Sequence, residues 1–377
     1  MVTCNETSLA KTTELFLELL RFPSVTPKDA GTLDFLAHKL PHFTPVRIDV
    51  AETTNLFLCR RFGEGPHLCF AGHVDVVPSG QGWHTDPFEP VVKEGIVYAR
   101  GAQDMKSGVC AFVRALQEIE HFEGTLSVML TSDEEGDATH GTIEILRYLE
   151  KVNMLPDMAI VAEPTCEARF GDAIKIGRRG SINGVLEVFG VQGHAAYPEK
   201  ATNPLHLMAS RLEKLAGHCF DQGDAHFAPS LLVLTDLRSG MEVTNVSPGH
   251  LKLMFNVRNS TKTSKEAIEA YITSVMEGVK FTLTLSQSAY PFVANAKASI
   301  VRALDEAIAS VCGVRPKYST AGGTSDARFL AQFGIETIEF GVVNDTIHAP
   351  NECTPLRDVE ALKEVFVRVI QTLKETV

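Results

Sequence analysis

Two histidines and a set of carboxylates stand out in this sequence for where they fall. His73 and Asp75 lie two apart at the end of the apolar run His67-Leu-Cys-Phe-Ala71, inside Ala71-Gly-His-Val-Asp-Val-Val-Pro78. The run reads as a buried strand that stops at Gly72, and residues two apart on extended backbone point to the same side. A neutral imidazole binds a metal ion through one ring nitrogen, while a nearby carboxylate can accept a hydrogen bond from the other and fix the tautomer. Taken alone, His-x-Asp is equally well a solvated turn. It gains weight from residues further along the chain: Asp104, then Glu134-Glu135, then Glu163, each about thirty residues on, and His348 after a later strand.

That interval is the length of one strand-helix unit. The spacing therefore predicts one polar group at the end of each strand, along the sheet edge where open α/β folds place their sites. Each residue has an ordinary alternative: Asp104 and Glu163 as turn or cap residues, Glu134-Glu135 as a solvated acidic turn, His348 as a loop histidine. Gathered at one edge, however, unpartnered carboxylates repel, and a divalent cation resolves the repulsion. Two histidines with at least three carboxylates exceed what one open tetrahedral zinc site uses. They suit two zinc ions roughly 3.5–4 Å apart, bridged by one carboxylate and one water. Glu134-Glu135 then divides its labour. One carboxylate binds metal, and its neighbour takes a proton from the water, whose pKa the metals lower towards ~7.

The elements that must place these groups can be read from periodicity. Leu9, Thr13, Phe16, Leu17 and Leu20 share one helical face ahead of Pro23. After a loop rich in Pro, Thr and Asp, strands are expected at 46–50 and 55–62, then the His67 run. Gly95–Arg100 reads as a further strand, followed by a helix at 107–121 with Val109, Phe112, Val113, Leu116 and Ile119 at helical spacing. Leu126–Leu130, a helix at 142–151 and Met158–Ala162 complete an alternation typical of a mixed, largely parallel sheet with helical crossovers.

From about Ser181 the pattern becomes strand (181–191), helix (203–217), strand (230–238), strand (251–258), helix (264–278) and strand (280–288), with Asn203-Pro204 and Ser264 as helix starts. This β-α-β-β-α-β order is ferredoxin-like. The expected organisation is an α/β domain over 1–179 and 293–377, with a smaller α+β domain inserted at 180–292. A helix at 297–312, the turn Ala321-Gly-Gly-Thr-Ser-Asp326, a strand at 335–340 and a final helix carrying Val359, Leu362, Phe366, Val369, Ile370 and Leu373 return to the first style.

Bulk properties agree with an ordinary soluble globular protein. At 377 residues two domains are expected, and 44% hydrophobic with 22% charged residues is unremarkable for such a chain. A formal net charge of −12 argues against nucleic-acid or anionic-membrane partners. Eight cysteines are scattered without a Cys-x-x-Cys pair, which suggests a reducing compartment. Glu14, Glu18 and Arg21 interrupt the first apolar stretch, so no signal peptide is expected, and no run approaches the roughly 18 apolar residues of a membrane helix. A cytoplasmic location is the expectation.

Together the His, Asp and Glu motifs resemble the di-zinc amidohydrolase and exopeptidase family that includes aminoacylase, glutamate carboxypeptidase, acetylornithine deacetylase and succinyl-diaminopimelate desuccinylase. The resemblance spans essentially the whole chain. It implies a di-zinc catalytic domain and a smaller domain serving as lid and homodimer interface; the nitrogen and oxygen ligands also suit cobalt or manganese. It makes Asp104 the bridging carboxylate, His73 and Glu163 ligands of one metal, and Glu135 and His348 ligands of the other. Glu134 matches the general base and Asp75 the residue that orients His73. His194 in Val191-Gln-Gly-His-Ala-Ala-Tyr-Pro198, otherwise a surface-loop histidine, matches a lid residue that reaches the oxyanion across the dimer.

Longer strings are similar to the desuccinylase branch: Gly171-Asp-Ala-Ile-Lys-Ile-Gly-Arg-Arg-Gly-Ser181, Gln192–Pro198 followed by Asn203-Pro-Leu-His206, Gly322-Gly-Thr-Ser-Asp326 and Asn344-Asp-Thr-Ile-His348. They imply hydrolysis of N-succinyl-LL-2,6-diaminopimelate in lysine and diaminopimelate biosynthesis. Gln103 and Ser107 flank Asp104 where the resemblance leads one to expect smaller residues, but they replace no ligand. A buried succinyl carboxylate needs a cationic partner, for which Arg178 and Arg258 are candidates, although an arginine at a domain junction equally ties the domains together. The resemblance adds Ser181, Tyr197, Asn245, Thr324 and Asn344 as substrate contacts. Alternatives are an acetylornithine deacetylase-like or dipeptidase-like enzyme with the same chemistry, and a non-catalytic relative that only binds ligands.

Overall fold

The computed structural model describes residues 6–374. They form two compact units. One comprises the chain up to Gly177, Ala294–Ser319 and the segment from Ser325; the other comprises Arg178–Val293 with Thr320–Thr324. The short Thr320–Thr324 segment, expected in the first unit, belongs with the second. Arg178 Nη1 donates to the Gly323 carbonyl at 3.1 Å, and Thr320 Oγ1 donates to the His226 carbonyl.

The first unit is built on an eight-stranded sheet in the order Thr44–Arg47, Asn55–Arg61, Thr125–Thr131, His67–His73, Met158–Val161, Glu336–Glu339, Ala173–Lys175 and Lys317–Ser319. Its four central strands are parallel, which leaves their ends level: His73 pairs with Thr131, Ala71 with Val161, and Val161 with Glu339. Asn55–Arg61 runs antiparallel beside Thr125–Thr131, and Thr44–Arg47 pairs antiparallel with Asn55–Arg61 at the sheet edge. Central strands such as His67–His73 are buried on both faces, as their uninterrupted apolar sequence requires. Phe70 illustrates the packing. Its ring stacks on Phe112 of helix Lys106–Glu118 at 5.8 Å and meets Phe366 of helix Leu356–Lys374 edge-on at 5.1 Å.

Helix Lys106–Glu118 is drawn close to the sheet at its first turn. A Cβ at Gly108 would overlap the Ala162 carbonyl, so only glycine permits this approach. The approach matters because Asp104 lies just before this helix and Glu163 just after Ala162.

Here the structure corrects the simple cadence. Asp104 does not end a strand of the main sheet. The crossover from His73 to Thr125 first makes a hairpin, Val91–Lys93 with Ile96–Tyr98, joined by Cys353–Pro355 in a separate three-stranded sheet. The expected Gly95–Arg100 strand is therefore shorter and lies outside the main sheet. Helices at Thr32–Lys39 and Ala327–Gln332 add to the expected elements, each too short for its sequence to show a period.

The second unit has a four-stranded antiparallel sheet ordered Leu232–Ser239, His250–Val257, Ser181–Phe189 and Phe281–Ala289. Helices Pro204–Leu215 and Lys265–Val275 complete the β-α-β-β-α-β order. Asn203 Oδ1 accepts from the Leu205 amide and Ser264 Oγ from the Ala267 amide, the capping expected from those residue types. Their apolar faces and alternate strand residues meet in a core that includes Ile182, Leu186, Met208, Leu253, Phe255, Ile268 and Ile272.

No helix of the described residues is long and apolar enough to cross a membrane. Cys59, Cys69, Cys110, Cys166, Cys219, Cys312 and Cys353 are free thiols; Cys4 lies outside the described residues.

Candidate metal centre

Seven of the sequence-predicted residues meet in the first unit. His73, 1% exposed, ends its strand with Nε2 3.2 Å from Asp104 Oδ1, 3.7 Å from Glu163 Oε1 and 4.0 Å from Glu134 Oε2. On the other side His348 Nε2 lies 2.9 Å from Glu135 Oε1 and 3.4 Å from Asp104 Oδ2. The two oxygens of Asp104 thus face one histidine each. Three donor groups result, each with ligand atoms within 4.8 Å of one another: His73, Asp104 and Glu163; Asp104, Glu135 and His348; and His73, Glu134 and Glu135. His348 holds a left-handed backbone (φ 60°), a conformation that a non-glycine residue keeps only where its surroundings impose it.

Asp75 orients His73 by a different atom than expected. His73 Nδ1 lies 2.8 Å from the Asp75 main-chain carbonyl but 3.6 Å from its carboxylate. That carboxylate instead accepts the amides of Glu134 at 3.4 Å and Glu135 at 3.1 Å. The reason is local: the chain leaves the strand at His73, so the simple two-residue alternation no longer governs Asp75. One residue consequently holds both the imidazole and the acidic turn.

Charge is badly out of balance here. Among the described residues, no lysine or arginine forms an ion pair with Asp75, Asp104, Glu134, Glu135 or Glu163; the partners are the two histidines. Burial pushes the Glu134 and Glu163 carboxyls well above the usual range, and neighbouring carboxylates add to the effect. Burial likewise raises Asp75 to about 6. Burial works to lower the His73 pKa, yet the Asp104 hydrogen bond and the charges of Asp75, Glu163 and Glu134 prevail and hold it well above normal. Contacts with Asp104 and Glu135 raise His348 to about 10. Asp104 is also opposed by burial, but the two histidines hold its carboxyl far below the usual range.

A cation among these groups would relieve the same repulsion. Imidazole nitrogens and carboxylate oxygens are suitable donors for zinc or cobalt, and the arrangement provides two three-donor groups that share Asp104. The residues fit two divalent ions.

One participant left no signal in the sequence. Glu352 is fully buried and accepts from Arg100 Nη1 (2.8 Å) and the amides of Gly101 (3.0 Å), Gln103 (2.7 Å) and Asp104 (3.0 Å). Its position after His348, in Asn351-Glu352, belongs to no periodic pattern. Asn344 also lies in the first unit, its amide donating to the Cys166 carbonyl at 3.1 Å.

The remaining candidates lie in the second unit. His194 is exposed in a short strand paired with Val246–Ser247; its ring meets that of Tyr197 at 5.8 Å, and its Nδ1 accepts from the Ala196 amide at 3.0 Å. Asn245 joins them, its carbonyl accepting from the Ala195 amide at 2.9 Å. Arg178 is buried beside the loop that contains Thr324, whereas Arg258 is exposed and Ser181 is buried against Asn256 at 3.0 Å.

Comparison with known proteins places this architecture. Residues 69–372 match Peptidase family M20/M25/M40. The chain belongs to that family. It is 60% identical over 358 residues to a succinyl-diaminopimelate desuccinylase of Sulfurovum sp., covering 95% of this chain and 98% of the relative. The enzyme of the same name from Nitratiruptor sp. is also 60% identical, over 95% of this chain and 99% of its own. Among solved structures, the aminopeptidase PepT of Bacillus cereus shares the fold at a TM-score of 0.78 and 18% identity, covering 97% of this chain and 98% of that one. A dinuclear metal-binding M20 peptidase of Bacillus subtilis does so at 0.74 and 14%, covering 99% and 100%.

Proposed function

We propose that this M20-family chain is a metal-dependent amidohydrolase that cleaves N-succinyl-LL-2,6-diaminopimelate to succinate and LL-2,6-diaminopimelate, in cytoplasmic lysine and diaminopimelate biosynthesis. The observation that carries the chemistry is the pair of donor groups sharing Asp104, surrounded by carboxylates with no lysine or arginine paired to them among the described residues. The substrate rests on the name shared by relatives 60% identical over 95% of the chain.

His73, Asp104 and Glu163 would hold one ion and Asp104, Glu135 and His348 the other. Two zinc ions, or cobalt in their place, would supply Lewis acidity to polarise the amide carbonyl and acidify the attacking water. Glu134 is left as the base. It takes a proton from that water as the oxygen bonds to the carbonyl carbon, and it returns the proton to the amine nitrogen as the carbon–nitrogen bond breaks. Asp75 keeps His73 Nδ1 occupied, so that Nε2 faces the donor group. His194 donates to the developing oxyanion, and Arg178 pairs the succinyl carboxylate. Ser181, Tyr197, Asn245, Arg258, Thr324 and Asn344 complete the proposed substrate contacts.

A homodimer through the smaller unit is part of this reading. Leu232–Ser239 is an edge strand, and its Val233 and Leu237 are 54% and 45% exposed. Sedimentation of the purified protein distinguishes a dimer from a monomer.

The deciding experiment supplies succinyl- and acetyl-diaminopimelate at equal concentration to protein of measured metal content. Two metals per chain with preference for the succinyl amide is expected. Preference for the acetyl amide would move the chain to a sister deacetylase, and absence of turnover with both metals bound would make it a binding protein.

A further inference from the structure

The loop that carries Asp104 and the loop that carries His348 are about 250 residues apart in sequence, yet they are fastened together by buried polar groups. Each Glu352 oxygen accepts two hydrogen bonds: Oε2 from Arg100 Nη1 and the Gly101 amide, Oε1 from the Gln103 and Asp104 amides. Arg100, 1% exposed, sends its other contacts forward. Nη1 donates to the Ala349 carbonyl at 3.3 Å, and Nη2 to the carbonyls of His348 at 3.4 Å and Ser79 at 3.1 Å. Its guanidinium also lies over the Trp83 ring at 5.1 Å. Gln103 adds a second tie, donating to Asp345 Oδ1 at 2.7 Å and accepting from the Thr346 amide at 2.9 Å.

Burying an ion pair costs several kcal/mol per ion in lost hydration, so apolar residues of similar volume would serve stability as well or better. What apolar residues cannot do is bind main-chain amides of one loop and main-chain carbonyls of another. Here the amide held is that of Asp104 itself, and the carbonyl held is that of His348 itself. His348 needs such restraint because its backbone sits in the left-handed region.

We propose that Glu352 and Arg100 are positioning residues that set the spacing between Asp104 and His348, and so tune the cation position formed by Asp104, Glu135 and His348 more than the one formed by His73, Asp104 and Glu163. This rests on the two-ion reading of the site. Supporting groups of this kind change metal affinity by about 10–100-fold when removed. Two substitutions probe the tie by geometry: Glu352→Gln replaces an acceptor facing two amides with a donor, and Arg100→Lys removes the second arm that reaches His348.

The test titrates metal-free protein with zinc against a competing chelator, and with cobalt followed by its visible absorption. The parent chain should bind two equivalents; fewer than two would defeat the two-ion reading itself, before any variant is made. With Glu352→Gln, one equivalent should weaken by about 10–100-fold while the other shifts far less, and kcat should recover in excess metal with KM little changed. A merely structural role would instead lower the melting temperature of metal-free and loaded protein alike and leave both affinities in place. A folded Glu352→Gln protein with both affinities at parental values overturns the proposal. If that variant does not fold, Arg100→Lys is held to the same outcomes; if neither folds, the pair is a folding element and the proposal fails.

Discussion

Two acidic sites in this chain show opposite solutions to the same problem. In the second unit, Asp221 accepts from the Gly223 amide at 2.7 Å, from Ser260 Oγ at 2.9 Å and from Thr263 Oγ1. Burial would raise its pKa, but hydrogen bonds from Ser230, Thr263, Gly223 and Ser260 bring it down to about 2. In the first unit, Glu134 and Glu163 have no such set of donors among the described residues and are pushed well above the usual range. The contrast separates a carboxylate that builds a turn from one in a cluster suited to a cation: the first brings its own donors, the second is surrounded by more carboxylates.

The largest test of that contrast is metal removal. Exhaustive chelation should abolish hydrolysis, and stoichiometric zinc or cobalt should restore it; a metal-free preparation that retains full turnover would erase the distinction. Next in size, Glu134→Gln should cost about 10²–10⁴-fold in kcat, the usual worth of a general base, with both metals retained by elemental analysis. Near-normal turnover would mean that Glu134 is only another member of the acidic cluster. Arg178→Ala should cost about 10–100-fold in kcat/KM for the succinyl amide, equivalent to a charged hydrogen bond of about 1.5–3 kcal/mol, and should alter acetyl-amide hydrolysis much less.

Smallest is the effect at Asp221. Its folded pKa of about 2 lies below the ordinary aspartate value. The stability it contributes is therefore fully present above pH ~4 and is lost as pH falls through about 2. Asp221→Asn should destabilise by about 1–3 kcal/mol at neutral pH and remove part of the acid sensitivity, leaving metal content unchanged. Thermal melts between pH 2 and 7 would check this, and an unaltered acid transition would remove the structural half of the comparison.

Much of the first unit was legible because strands and helices announce themselves by period. The burial of Phe70, Val109 and Phe112 follows directly from it, and His73 and Glu163 could be placed near strand ends without coordinates. Asp104 is legible only in part. Its spacing suggested a main-sheet strand, whereas a hairpin of the separate small sheet precedes it. His348 lies nine residues beyond Glu339, in a loop whose course no periodicity describes. In the second unit His194, Tyr197 and Asn245 are exposed or in irregular backbone, and only resemblance singled them out.

By itself, then, the sequence determined which donors exist, their chain order, and the alternation of strands and helices that carries most of them to one sheet edge. Those are consequences of local backbone geometry and of burying apolar faces. Tertiary structure decided which donors come together, that Asp104 faces both histidines, that Asp75 holds His73 by a carbonyl and the Glu134-Glu135 turn by a carboxylate, and that Glu352 anchors the Asp104 loop. The reason is that hydrogen bonds between segments as far apart as Asp104 and Glu352 leave no periodic trace in the chain; they exist only once the fold has brought the two loops together.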